Sequence, residues 1–293
     1  MCHTLAIATV ASARTLDEDL APLLAALHAA NIKAEVCDWD DDAVDWSGYS
    51  AVLLRSTWDY TRRLNEFLAW CERVSTVTSL LNPLDVVRWN CDKRYLRDLA
   101  KAGVPVVESV FIEPGTPADA FPEYREFVVK PAISAGSRDT RRHMHERRPE
   151  AIAHIQDLLD AGRTVLVQPY LDGVDTAGET ALIFFCDDYS HAIRKGPLLQ
   201  RGRGATELLF ATEQIDPRLA SDTELTLARC ALEALPFDAP LYARVDVLPA
   251  PDGPRLLELE LIEPSLFFDH APGSAAAFVS HLAARLQDSP TRA

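Results

Sequence analysis

Tyr242-Ala-Arg244-Val-Asp246-Val247, followed after a short loop by Leu257-Glu258-Leu-Glu260-Leu-Ile-Glu263-Pro264-Ser265, is the stretch that decides the reading of this chain. Aliphatic and polar residues alternate with period two in both runs, the pattern of two half-buried strands. Arg244 and Asp246 therefore share one strand face, Glu258 and Glu260 share one face of the next, and three carboxylates converge. Ionised carboxylates crowded in this way repel one another and lose hydration, so they require a compensating cation. Magnesium is a hard ion held by one or two carboxylates together with nucleotide phosphates, and it meets that requirement. A half-solvated antiparallel hairpin whose polar face is merely acidic produces the same pattern. The hairpin alone leaves both readings open.

Upstream of Asn82 the chain alternates strand and helix. Leu5 to Val10 is apolar, Leu16 to Ala30 has helical spacing, and Lys33 to Cys37 is short and extended. Ala51 to Leu54 is apolar again before a helical Glu66 to Val74. Strands separated by helices predict a parallel sheet with right-handed crossovers, and such sheets bind ligands beyond the carboxyl ends of their strands. Arg55-Ser56-Thr57-Trp58-Asp59-Tyr60 sits at that end. A guanidinium, two hydroxyls, an indole and a carboxylate together favour a ligand-facing role over a turn whose rings cap the sheet.

Asn82-Pro83 marks a turn, and Trp89-Asn90-Cys91-Asp92-Lys93 opens a helix, with Asp or Asn as N-cap, that ends at Gly103. Val104-Pro105 leads into another strand. Phe127-Val-Val-Lys130-Pro131 is a strand followed by Ala-Ile-Ser134-Ala135-Gly136-Ser137, small residues that let backbone amides approach an anion. A lysine beside such a loop is a recurring way to hold nucleotide phosphates. Thr164 to Leu171 predicts a buried strand that leaves its sheet at Pro169. Glu179 to Phe185 and Ser190 to Lys195 form a hairpin about Asp187-Asp188. Arg201-Gly202-Arg203-Gly204 reads as a flexible basic loop, Ser221 to Ala234 as an amphipathic helix and Ala275 to Leu286 as a terminal helix.

At 293 residues the chain exceeds the usual single-domain size, so two or three compact units are expected. Its 48% hydrophobic and 25% charged residues are those of a soluble globular protein, and no apolar run approaches a membrane span. A net charge of −15 and a pI near 4.9 argue against general binding to nucleic acid or anionic membranes. An anionic ligand must find a local basic pocket. The run from Met1 to Ala11 reads as a first strand rather than a signal peptide, because no basic leader precedes it, and a cytoplasmic location is expected. The six cysteines are scattered without a Cys-x-x-Cys pair and read as small core residues rather than a zinc site or disulfide framework. His143 and His145 read as surface histidines.

Taken in order, Lys93 on an opening helix, Lys130 before a small-residue loop, Gln168-Pro-Tyr170-Leu171, Arg244-x-Asp246 and Glu258-x-Glu260 resemble the ATP-grasp superfamily of ligases. The resemblance runs from about Asn82 to Ser265, and the preceding region resembles the N-terminal domain usual in that superfamily. Arg55-Ser-Thr-Trp-Asp-Tyr60, Arg194-Lys195 and Glu258-Leu-Glu260-Leu-Ile-Glu263-Pro264-Ser265 are similar to the glutathione-synthetase-like branch that includes the O-ureido-serine cyclo-ligase of cycloserine biosynthesis. The fold implied is α/β, in part α+β. It has an N-terminal parallel α/β domain (1–88), a small ATP-grasp subdomain with a lid loop (89–170) and a C-terminal domain with a metal site (171–293), the last two enclosing the nucleotide.

The resemblance implies a role for each matching residue. Lys93 and Lys130 contact the nucleotide phosphates, with Ser134, Gly136 and Ser137 in the lid above them. Gln168, Tyr170 and Leu171 line the adenine and ribose pocket with Glu179. Asp246, Glu258 and Glu260 hold magnesium. Arg244, Arg194 and Lys130 serve catalysis, Arg244 facing the transferring phosphate or the substrate carboxylate. Arg55, Ser56, Thr57, Trp58, Asp59, Arg194 and Ser265 contact an amino-acid-like substrate. The superfamily commonly has Glu-x-Asn where this chain has Glu258-x-Glu260, which makes the site more acidic and admits manganese beside magnesium. Gln168 replaces a frequent acid on the adenine side.

The activity this implies is ATP-dependent phosphorylation of a small-molecule carboxylate, followed by C–N bond formation with an amine, within one molecule or between two. No Ser-His-Asp or Cys-His constellation calls for a covalent enzyme intermediate. A small-molecule kinase on the same nucleotide cradle, with acceptor contacts from the Arg194 to Arg203 region, and a non-catalytic nucleotide-binding regulator are the alternatives. A homodimer is the default assembly.

Overall fold

The computed structural model describes residues 4–197, 199 and 214–288, and in it the alternation upstream of Asn82 becomes a parallel sheet. Its strands are β1 (Thr4–Thr9), β2 (Lys33–Asp38), β3 (Ala51–Leu54) and β4 (Ser79–Leu81), in the order β2-β1-β3-β4, with crossover helices α1 (Leu20–Ala29) and α2 (Leu64–Val77). The aliphatic run of β3 is buried throughout, as a strand covered on both faces requires. α1 starts later than the spacing from Leu16 predicts. The Asp17 carboxylate accepts the Asp19 amide at 3.1 Å, a local side-chain turn that competes with helix.

A further helix, α3 (Leu84–Asn90), precedes the one expected to open at Asn90 or Asp92 and end at Gly103, which is α4 (Tyr95–Lys101). Asn90 closes α3, while Asp92 Oδ1 accepts the Arg94 amide at 2.9 Å and starts α4. Gly103, with φ of +91°, ends α4. A second, antiparallel sheet follows: β5 (Val110–Ile112), β6 (Glu126–Pro131), β7 (Arg141–Met144) and β8 (Val165–Pro169), ordered β5-β8-β6-β7. Helix α5 (Arg148–Asp160) buries Ala151 and Ile155 against Phe127, Val129 and Val167 of this sheet. His143 is not on the surface. It is 3% exposed, stacked on Phe127 and 3.2 Å from His154, whereas His145 is exposed.

After the short α6 (Val174–Ala177), a third sheet is built from β9 (Glu179–Phe185), β10 (Asp188–Lys195), β11 (Ile215–Arg218), β12 (Tyr242–Leu248) and β13 (Arg255–Glu260). Its order is β11-β10-β9-β12-β13, every pair antiparallel. Helix α7 (Asp222–Glu233) is opened by a capping box between Ser221 and Glu224. Leu182, Phe184, Ala243 and Val245 face one way and pack on α4 and α7 through Leu96, Leu99 and Leu227. Ala181, Ile183 and Tyr242 face the other way, toward Leu5 and Ile7 of the first sheet and Phe278 of the last helix, α8 (Ser274–Asp288).

The two outer units are stitched together by buried side chains. The Asn82 amide donates to the carbonyls of Tyr242 and Leu261 and accepts the Leu241 amide. The Tyr242 hydroxyl is set among the carbonyls of Leu54, Leu81 and Ile262, 2.8 Å from the last. Cys37, Cys71 and Cys91 are buried, and Cys186 and Cys230 are half-buried. The proposed basic loop at Arg201 to Gly204 lies outside the described residues.

Candidate active site

The register of the acidic hairpin is the one its alternation predicts: Arg244 faces Glu260 and Asp246 faces Glu258. β13 is an edge strand, and unpaired edge amides and carbonyls need partners. Asn90 supplies them, donating to the Leu259 carbonyl and accepting the Leu261 amide, both at 2.8 Å, while the Leu259 amide donates to the Tyr95 hydroxyl at 2.9 Å. Asn90 thus fixes the strand that carries both glutamates. It does not cap a helix.

A cleft of about 610 Å³ opens over this hairpin, bounded by the second sheet and by the loops after β3 and β13. The carboxylates in it are compensated by side chains of the chain itself. Arg244 grips Asp246 through Nε and Nη2, each at 2.9 Å from a different oxygen, and its Nη2 also meets Glu260. Lys195 Nζ stands 2.9 Å from Asp246 and 2.6 Å from Glu179. Lys93 Nζ is 2.9 Å from Glu258, with Lys130 Nζ 3.9 Å from its other oxygen. Burial alone would raise the Asp246 and Glu258 carboxyls, but these cations outweigh it and hold both below the ordinary range. Glu260 is raised, because burial and the charges of Glu258 and Asp246 exceed the help from Arg244. Lys130 is lowered, chiefly by burial.

The small-residue loop forms the roof on the lysine side. Ser134, Gly136 and Ser137 line the cleft, and Lys93 donates to the Ser134 carbonyl at 2.9 Å and hydroxyl at 3.1 Å. Gly136 and Ser137 both have positive φ, 62° and 58°, a bend suited to small residues and to turning amides toward an anion. Gln168, Tyr170, Leu171 and Glu179 also line the cleft, beside the apolar Val128, Leu248 and Leu257. The Arg142 guanidinium lies 3.3 Å over the Tyr170 ring, whose hydroxyl donates to Asp175 at 2.6 Å.

At the other end the structure divides the expected substrate residues. Trp58 and Ser265 are on the cleft wall; Arg55, Ser56, Thr57, Asp59 and Arg194 are not. Arg55 is 1% exposed and committed inward, to Asp19 at 3.2 Å and to the Pro264 carbonyl at 3.0 Å. Ser56 bonds Thr9 at 2.7 Å, and Thr57 is buried beside it. Asp59 accepts from Trp39 at 2.9 Å and pairs with Arg63. Arg194 has the wrong parity. Period two puts its neighbour Lys195 on the cleft face, while Arg194 donates to the Ala177 and Thr176 carbonyls. The sequence reading therefore missed Lys195 as a site residue, although the register of β10 on β9 holds the signal: Lys195 lies opposite Glu179. It also missed Tyr60 and Glu263, which line the cleft together, and Asp19, whose carboxylate accepts the amides of Leu266, Phe267 and Phe268.

Among the described residues no group of three or more acidic, histidine or cysteine side chains is arranged to hold a metal ion unaided. Of the expected trio, Asp246 is 2% exposed with its oxygens on Arg244 and Lys195, whereas the side chains of Glu258 and Glu260 are 21% and 31% exposed to the cleft. Two hard oxygen donors still fit magnesium, which takes most of its shell from phosphates and water.

The family model of the D-cycloserine synthetase DcsG N-terminal domain matches residues 5–82. The cycloserine biosynthesis protein DcsG of Streptomyces lavendulae is 43% identical over 297 aligned positions, 97% of this chain and 99% of the relative. A crystal structure of D-cycloserine synthetase DcsG superposes with a TM-score of 0.89 at 42% identity, covering 97% of this chain and 99% of that one. D-alanine–D-alanine ligase from Bacillus anthracis, complexed with ATP, shares the fold at a TM-score of 0.71 and 12% identity, covering 99% and 100% of the two chains.

Proposed function

The chain belongs to the D-cycloserine synthetase family of ATP-grasp ligases, and from that premise we propose that it activates the carboxylate of an amino-acid derivative as an acyl-phosphate and closes a C–N bond on it. It is an ATP-dependent ligase, which sets aside the kinase and regulatory readings. The substrate class proposed is an O-ureidoserine-like amino acid whose own nitrogen is the nucleophile, so that the product is a ring. The three sheets correspond to three units divided near residues 88 and 170.

The observation that carries this reading is the meeting of Lys93, Lys130 and Lys195 with Glu258, Asp246 and Glu179 under the Ser134 to Ser137 roof. In a chain of net charge −15, these lysines are the cations the cleft offers a polyphosphate, and magnesium would offset the carboxylates beside them. Lys93 and Lys130 bind the phosphates, and the roof excludes the water that would hydrolyse an acyl-phosphate. The apolar wall of Val128, Leu171, Leu248 and Leu257 takes the adenine. Arg244, held on two sides by Asp246 and Glu260, presents a fixed cation where charge develops on the transferring group. Glu258 and Glu260 would hold magnesium, which when bound neutralises phosphate charge. No described helix is long and apolar enough to cross a bilayer.

Incubation with ATP, magnesium and both enantiomers of O-ureidoserine tests the proposal. ADP, phosphate and a cyclised product are expected in equal amounts, and Glu258→Gln abolishes all three. Absence of substrate-dependent ADP from folded protein refutes it.

A further inference from the structure

Every buried carboxyl on the cleft wall is accounted for by a cation except one. Glu179 and Asp246 have Lys195, Glu258 has Lys93, Glu260 has Arg244, and Asp19 has Arg55. Glu263 is 9% exposed, lines the cleft, and among the described residues forms no ion pair. Its position is nevertheless fixed. Its own carbonyl accepts Trp58 Nε1 at 3.0 Å, the next carbonyl accepts Arg55 at 3.0 Å, and Tyr60 lines the same wall as a neighbouring hydroxyl that favours its charged form. An unpaired acid held rigidly in a buried wall costs stability, so its retention calls for a use.

We propose that Glu263 accepts the proton shed by the attacking nitrogen as the C–N bond forms, with Tyr60 orienting its carboxyl. The inference rests on the ligase reading above. In the step, the nitrogen lone pair attacks the acyl-phosphate carbon, and the carbon–oxygen bond to phosphate breaks with its electron pair leaving on phosphate. The nitrogen's proton passes to Glu263 and from there to the departing phosphate. Atoms and charge balance without a further reactant.

Asp246 and Glu258 are poor acceptors, because neighbouring cations lower their basicity, and Glu260, although raised, has an oxygen engaged by Arg244. Burial, reinforced by Glu260, raises Glu263 to about 8, against the opposing pull of Tyr60, Lys93 and Arg244. The remaining charged or titratable groups that face it are Arg55, Tyr242, Cys71 and Cys91, with both thiols raised by burial. A carboxyl poised near neutral pH is effective in proton transfer. Activity should therefore rise with pH as Glu263 ionises, through about 8.

Glu263→Gln, which keeps the shape, is tested with ATP, magnesium and O-ureidoserine, with and without excess hydroxylamine. Hydroxylamine arrives uncharged and traps an acyl-phosphate as hydroxamate without needing the enzyme's base. Cyclic product is expected to fall about a hundredfold or more, hydroxamate and ADP to stay within about threefold, and the alkaline rise in kcat to vanish. Product within about threefold of wild type, or product and hydroxamate falling together, overturns the assignment. If Glu263→Gln does not fold, Tyr60→Phe decides. Loss of the hydroxyl that stabilises the carboxylate moves the pH rise upward, and an unmoved profile refutes the proposal. Wild type forming neither ADP nor hydroxamate is a different failure, that of the ligase reading itself.

Discussion

Arg55→Met separates an arginine that grips a ligand from one that ties the fold. The guanidinium is 1% exposed, with Nη2 at 3.2 Å from Asp19 and 3.7 Å from Asp17 and Nη1 at 3.0 Å from the Pro264 carbonyl. Methionine fills much of the space but withdraws the charge, stranding two carboxylates that are 8% and 4% exposed. Breaking a buried ion pair by removing one partner costs about 3–5 kcal/mol. Asp19 keeps its bonds to the amides of Leu266 and Phe268, at 2.5 and 2.8 Å, so the lower end, about 3 kcal/mol, is expected. That is a large share of the roughly 5–15 kcal/mol by which native proteins are stable. Urea unfolding at pH 7 of wild type, Arg55→Met and Arg55→Met with Asp17→Asn measures it, and the double variant should regain about 1 kcal/mol by removing a stranded charge. A loss under about 1 kcal/mol, accompanied by a large rise in KM for the amino-acid substrate, refutes the reasoning and returns Arg55 to the ligand.

Lys195→Met removes the cation that Asp246 and Glu179 share and should lower kcat at least about tenfold more than Arg194→Met, whose guanidinium serves the Ala177 and Thr176 carbonyls and Asp216 away from the cleft; equal kcat losses in parallel assays would contradict the parity argument. Gly178→Ala places a Cβ against the Lys195 carbonyl oxygen at a φ of 75°, so thermal unfolding should show a loss of about 2 kcal/mol or more, and an unchanged Tm counts against the close approach. His143 is pushed down to about 3 by burial, with His154 and Arg141 adding to it, so the unfolded chain binds a proton there before the folded one does. The stability it contributes is complete above pH 6.5 and drains away as pH falls toward 3. His143→Phe should flatten that part of the urea-midpoint profile, and an unaltered slope would show the site open to water.

The fold was legible where one periodicity dominated. The β-α alternation before Asn82 and the alternating hairpin at Tyr242 to Glu260 each bury one consistent set of side chains, so pattern and packing agree. The helix that ends at Asn90 was not legible. Asn90 and Asp92 are both good caps by local chemistry, but Asn90 is needed by the edge of β13, a partner about 170 residues away that no local window contains. His143 was misplaced for a related reason. It stands among charged residues, yet β7 buries both Arg142 and His143, and His143 stacks on Phe127 of the paired strand.

At the site, residue type was a better guide than role. Carboxylates were expected to demand an external cation, yet Lys93, Lys195 and Arg244 already supply the charge, so the acidic hairpin is stable before any ligand arrives. That compensation follows from pairing between strands: Lys195 reaches Asp246 across β9, a neighbour relation that spacing along the chain cannot express. The cluster at Arg55 to Tyr60 was sound as chemistry and misassigned in direction. Arg55 and Trp58 donate to the carbonyls of Pro264 and Glu263, so most of the cluster supports the cleft wall from behind, and of its six residues Trp58 and Tyr60 reach the cleft. The N-terminal sheet is thereby tied to the acidic hairpin through the 263–268 segment, and a substitution at Arg55, just after β3, or at Asp19, just before α1, should alter activity without touching a ligand.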